Sequence, residues 1–218
     1  LHLELQLRTP AGKQGAVIIG LGLTHLSNGG TRMPNLGINL PKATIGYRHD
    51  FGQVSRTPEK TTEVWLNPAG WQCYLAGGMK EIYPALGSKY LTGTANLTYM
   101  FGSKRKNRFG LGTDLFYDES IAVRQERLNG INRPSANFRP GITGVWQLRL
   151  GAIGIGFNMG FYPYTQYKED GNFYHRIGLR YHFRNLYICS NLKTHYAKAD
   201  FIEWGIGWDF ANKAGGSR

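Results

Sequence analysis

Long hydrophobic runs are missing from this 218-residue chain: nowhere do 18 apolar residues stand together, which excludes a membrane-spanning helix. Cysteine is scarce. The two present, Cys73 and Cys189, lie far apart on strand-like segments, and no disulfide can be inferred from that separation. No His or Cys spacing matches a zinc site, and His49 and His175 lack ligand partners at a recognisable interval, so no metal is expected. Gly154 and Gly156 fall inside a strand pattern with no helix after them, which excludes a phosphate loop. Carboxylates are short as well, with 14 Asp and Glu against 26 Lys and Arg and a formal charge of +12. Such a surplus suits nucleic acid, an anionic membrane surface or a phosphorylated glycolipid. Many of the cations alternate along strands, as Arg176, Arg180 and His182 do, where ion pairing inside a lumen accounts for them without nucleic acid.

What is abundant is glycine (30) and aromatic side chains (13 Tyr, 11 Phe, 5 Trp), a composition that points away from a helical protein. Period-2 alternation recurs between turn-forming residues and predicts strands near 1–7, 16–27, 37–51, 70–81, 90–101, 108–118, 138–149, 151–162, 173–183, 186–195 and 199–210. Their apolar faces are clean, as in Ile153, Ile155, Phe157, Met159 and Phe161, or Ile202, Trp204, Ile206, Trp208 and Phe210. The opposite faces carry Thr, Asn, Gln, Asp, Arg or Gly. Glu4, Asp114, Asp118, Glu203 and Asp209 share the polar face with Arg149, Arg176 and Arg180, where structural ion pairs are expected.

Alternation alone does not say which face meets solvent. Three features favour an antiparallel transmembrane β-barrel of the bacterial outer membrane over a soluble sandwich: the size of the apolar side chains, the Tyr and Trp near strand ends, and the last strand. That strand, Phe201 to Phe210, resembles the terminal aromatic strand read by outer-membrane assembly machinery, with a short tail at 211–218 behind it. A periplasmic C-terminus then puts the short connections 102–107, 149–151 and 184–185 inside and the longer ones at 82–89, 119–137 and 163–172 outside. The linker 52–69 is long for a periplasmic turn, and Thr62 to Leu66 can extend a strand. The expectation is one barrel domain over 1–210 with 11–12 strands. Because closed bacterial barrels have an even number, at least one further strand is expected before Leu1.

Candidate chemistry lies at the end of the second strand. Val17, Ile19, Leu21, Leu23, His25 and Ser27 share one face by parity, so a base and a hydroxyl sit two residues apart on an oily, outward face. A hydrolase acting on a lipid is the reading this suggests. Asn28 and the backbone N–H groups near Gly29 and Gly30 are candidate oxyanion donors, with a plain turn as their alternative. Arg32 and Lys42 are candidate partners for phosphate. Thr194-His195-Tyr196-Ala197-Lys198 echoes the first motif without a hydroxyl nucleophile, which leaves His195 as a lumen or loop residue.

His25-Leu26-Ser27-Asn28-Gly29-Gly30 followed by Pro34-Asn35-Leu36-Gly37 resembles the His-x-Ser-Asn motif of the lipid A 3-O-deacylase family, and the match spans Thr24 to about Asp50. The resemblance implies an outer-membrane barrel that hydrolyses an ester-linked acyl chain of lipid A or lipopolysaccharide without a cofactor. It makes Ser27 the nucleophile and His25 the general base, with Asn28, Gly29, Gly30 and Asn35 positioning substrate. The acidic residue that orients the histidine in that family stands twelve positions after the serine, where this chain has Asn39. An Asn carbonyl can hold an imidazole but cannot stabilise its cation by charge. The alternative reading is accordingly a weak or inactive relative serving as a porin, a lipid-binding protein or a scaffold.

Overall fold

The computed structural model describes residues 2–12, 14–34, 37–51, 67–103, 106–196 and 198–210, and His25 by its backbone alone. Asn35 and the segment Thr62 to Leu66 lie outside the described residues. Two compact units result: 1–28 with 35–63, and 29–34 with 64–218.

The first unit holds three antiparallel strands in the order β1 (His2–Pro10), β2 (Gly15–Leu26) and β3 (Ile38–His49). Register aligns like with like. Leu3, Leu5 and Leu7 stand opposite Leu23, Leu21 and Ile19, and Ile19 and Val17 in turn face Ile45 and Tyr47. One face of the sheet is therefore continuous hydrocarbon, and cross-strand pairs of this kind fix the register, because a slip of one residue would exchange the faces. The other face is polar, with Glu4 accepting from Gln6 at 3.0 Å and pairing with Lys42 at 3.4 Å.

In the second unit eight strands close on themselves: β4 (Gly70–Glu81), β5 (Lys89–Met100), β6 (Asn107–Asp118), β7 (Phe138–Leu150), β8 (Ile153–Phe161), β9 (Phe173–Phe183), β10 (Leu186–His195) and β11 (Lys198–Asp209). Every neighbouring pair is antiparallel, and β11 completes the ring by pairing with β4, Glu203 opposite Gly78 through Asp209 opposite Gln72. All eleven expected strands form, and the antiparallel barrel is confirmed. The strand count around it is corrected: the barrel has eight strands, not 11–12, because β11 finds its partner in β4. The even number is met within this unit.

The barrel is turned inside out relative to a soluble protein. Leu75, Leu97, Leu111, Ile142, Leu179, Trp204 and Ile206 are exposed on its outer surface, while Asp114, Asp118, Arg139, Arg176, Lys193 and Glu203 are almost completely enclosed. Water on both sides would make this arrangement untenable, since apolar surface would be wetted and charge desolvated together. Hydrocarbon outside removes the first cost, and pairing inside offsets the second. Aromatic rings gather near the strand ends, with Trp71 against Tyr99 at 5.2 Å toward one end and Tyr117 against Phe138 at 5.2 Å toward the other. Rings at these levels suit the membrane–water interfaces.

Side chains fill the lumen. At mid-height Arg176 grips both carboxylate oxygens of Asp114 at 2.6 Å, donates to the Tyr74 hydroxyl, and lies 3.8 Å from Glu203. Tyr174 adds a 2.6 Å bond to Asp114, and Thr94 donates to Glu203 at 2.5 Å. The Tyr174 ring needs room that Gly141 and Gly160 provide: a Cβ on either would come within 2.5 Å of it. Toward the long-loop end Lys80 bridges Asp118 and Asp200, and Lys193 also meets Asp200. The long connection after β6 was expected to be loop. It contains α1 (Ser120–Asn129), ended by Gly130 at φ +71°, whose N–H bonds the Glu126 carbonyl, and a 3-10 turn at Pro134–Asn137. Cys73 and Cys189 are both free thiols.

Candidate active site

Strands β2 and β3 position the expected catalytic residues. Antiparallel pairing puts His25 directly opposite Asn39, followed by Leu23 opposite Pro41 and Leu21 opposite Ala43. Directly opposed residues project from the same face of a sheet with Cβ atoms about 5 Å apart. His25 and Asn39 are thus paired in backbone register at the end of the hydrocarbon face. Ser27 follows one residue beyond the end of β2 and is exposed, as is Asn28. Ser27 therefore stands outside the strand ladder, beyond the end of the apolar face.

The other expected contributors are distributed differently. Gly29 and Gly30 belong to the barrel unit, buried and with positive φ of 63° and 80°. A Cβ on Gly29 would sit 2.5 Å from the Ile202 side chain, and one on Gly30 would sit 2.4 Å from the Asp200 carbonyl oxygen. The Gly30 carbonyl also accepts from the Glu81 N–H at 3.3 Å. Conformation and close packing on β11 require both glycines, whatever they do in chemistry. Lys42 stands opposite Gly22, on the polar face with Glu4, so parity removes it from the His25 face. Arg32 is described with the barrel unit.

His195 lies in the barrel lumen at the end of β10, 2.9 Å from the Tyr162 hydroxyl and 3.5 Å from Asp200. With no hydroxyl nucleophile in its motif, it serves a buried polar network. Reading the sequence missed the full size of that network: Lys80, Arg139, Lys193 and Tyr162 were not singled out. Parity could have found three of them, since Arg139 alternates with Gly141, Thr143, Val145 and Gln147, all facing inward with it. Among the described residues no three His, Cys, Asp or Glu side chains are grouped as a metal site would need.

A closed antiparallel ring with hydrocarbon outside and paired charge inside defines the chain as a β-barrel membrane protein. Comparison with known families is more specific. Residues 69–213 match the family described as acyloxyacyl hydrolase, C-terminal domain, and residues 1–48 match lipid A 3-O-deacylase (PagL). The chain belongs to the lipid A 3-O-deacylase family. No curated protein and no solved structure matches it. Family membership makes the chain a relative of acyl hydrolases whose substrate is lipid A.

Proposed function

We propose that this chain is a serine-type esterase of the bacterial outer membrane that removes an ester-linked acyl chain from lipid A. One observation carries the reading: the β2–β3 register sets His25 against Asn39 at the end of an apolar face, with exposed Ser27 two residues on. In the proposed cycle His25 takes the Ser27 Oγ proton as the oxygen attacks the ester carbonyl. Collapse of the tetrahedral intermediate expels the sugar alkoxide, which takes the proton from the imidazolium. A water deprotonated by His25 then cleaves the acyl-serine, releasing the fatty acid and restoring the enzyme. Asn39 holds the ring through its carbonyl, and Asn28 is the nearest side chain able to donate to the oxyanion. This sequence of steps requires no cofactor. We place the active face in the outer leaflet, on the argument that its proposed substrate, lipid A, resides there.

Incubation of the refolded full chain with purified lipopolysaccharide, followed by mass spectrometry, tests the assignment. Release of 3-hydroxy fatty acid by the wild type and its loss in Ser27→Ala and His25→Ala is the expected result. Undiminished release in both variants would refute it. The porin alternative has little support from a lumen whose charged side chains are almost entirely buried against one another.

A further inference from the structure

Charge inside the barrel is layered, and the layers do not balance. At the long-loop end Lys80, Arg124, Arg139 and Lys193 are set against Asp118, Asp170 and Asp200 in a continuous set of ion pairs. The middle layer opposes Arg176 to Asp114 and Glu203. At the short-turn end three guanidinium groups, Arg108, Arg149 and Arg180, share a single carboxylate among the described residues. That carboxylate is Asp209; Arg108 holds it at 2.9 Å and also donates to the Pro68 carbonyl at 3.1 Å. Register puts the other two in one row, because Arg149 and Arg180 both stand opposite Gly154 from its two sides.

Neither Arg149 nor Arg180 has an ion-pair partner recorded among the described residues. Arg149 donates to the Gly151 carbonyl at 3.3 Å. Arg180 donates to Gln72 Oε1 at 3.2 Å and lies over the Tyr187 ring at 5.1 Å and the Tyr74 ring at 5.9 Å. Gln72 is itself committed, accepting from Gln147 at 2.8 Å and donating to Asp209 at 2.6 Å. Around this row stand three enclosed nitrogens with no hydrogen-bond partner: Arg108 Nε, Arg180 Nε and His182 Nδ1. Their residues are 2%, 5% and 7% exposed. The wall beside them is bare, since Gly154 faces the His182 ring and Gly156 faces the Arg180 guanidinium. Cation–π contact softens a buried cation without neutralising it, and surplus buried charge with idle donors is costly unless something negative completes it.

We propose that the short-turn mouth of the barrel is an anion site for a phosphate group, held by the Arg180 and Arg149 guanidinium forks with Arg108 and His182 in support. Guanidinium forks match tetrahedral oxyanions in bidentate fashion, which a single chloride does not exploit. The same chemistry accommodates inorganic phosphate or the phosphate of a lipid headgroup entering at the mouth. The site is independent of the acyl-ester reading, being built from residues that take no part in it.

The test uses the full chain refolded in a neutral detergent at constant ionic strength set with chloride. Inorganic phosphate and short-chain dihexanoyl phosphatidic acid are titrated separately by calorimetry, with heat-shifted gel migration to verify folding. Saturable binding of at least one probe is expected, weakened about tenfold or more in Arg180→Gln through loss of a charge-assisted contact. Asp209→Asn removes the competing carboxylate, frees Arg108 and should tighten binding, so a poorly folded arginine variant still leaves a readable outcome. Binding of phosphate alone assigns a soluble source, and binding of the lipid alone a headgroup. Phosphate and phosphatidic acid no better than chloride, or affinities unchanged in both variants, would overturn the proposal.

Discussion

At the scale of single residues, Asn39 is the position that sets how well the proposed site works. It stands opposite His25, and the resemblance of the His25 motif to that of the lipid A 3-O-deacylase family implies an acidic residue at this position. An amide there can accept the imidazole N–H but also permits the wrong tautomer, and the same exchange in a serine-protease triad lowers turnover about 10⁴-fold. Asn39→Glu should therefore raise the rate of fatty-acid release by orders of magnitude with little change in stability, measured by mass spectrometry on lipopolysaccharide. A rate unchanged by that substitution would argue that the amide is not the histidine's orienting group. Arg176 offers a structural counterpart. Its guanidinium neutralises Asp114 and approaches Glu203, and both carboxylates are fully buried. Arg176→Met should destabilise the barrel by about 3–5 kcal/mol, whereas pairing it with Asp114→Leu should recover much of the loss, because the uncompensated Asp114 charge is gone. Urea unfolding of the detergent-bound variants measures both.

At the scale of elements, the connection between β8 and β9 is held to α1 and to the start of β7 by Asp170, which pairs with Arg124 at 3.1 Å and Arg139 at 3.0 Å. Burial pushes the Asp170 carboxyl upward, but the Arg124 and Arg139 cations outweigh that and hold it down at about 2. A depressed carboxylate stabilises the folded loop above its ordinary value near 3.8 and loses that contribution as pH falls through the interval to about 2. Limited proteolysis with an acid protease should find the 163–172 segment protected at pH 5 and increasingly cut toward pH 2. Asp170→Asn should be cut at both values. Much of this level was legible beforehand. Strand positions followed from alternation, which reports the two faces directly. The helix α1 was missed although Asn129-Gly130 is a recognisable stop signal, because the whole segment was treated as loop between strands. Lys42 was grouped with the site by nearness in sequence, where the even-numbered parity it shares with Glu4 would have sent it to the other face. Closure was beyond reach: alternation says which way side chains point, not that β11 pairs with β4.

At the scale of the whole barrel, the lumen is a core made of charge. Salt bridges and rings cross it at several heights, with Lys193 lying 4.7 Å from the Phe116 ring and Arg139 lying 4.7 Å from that of Tyr162. Reconstituted into planar bilayers, the protein should give no stable ionic conductance, and a steady open current would contradict the packing described. Eight strands leave an interior just wide enough for side chains to fill, so the ring's circumference and the contents of its interior are matched. Tyr174, seated in the notch between Gly141 and Gly160 and tied to Asp114, shows how close that match is. For anyone wishing to turn this scaffold into a sensing nanopore, trimming loops or shaving inward side chains would leave collapsed walls rather than an opening. Only a ring with additional staves would admit a current.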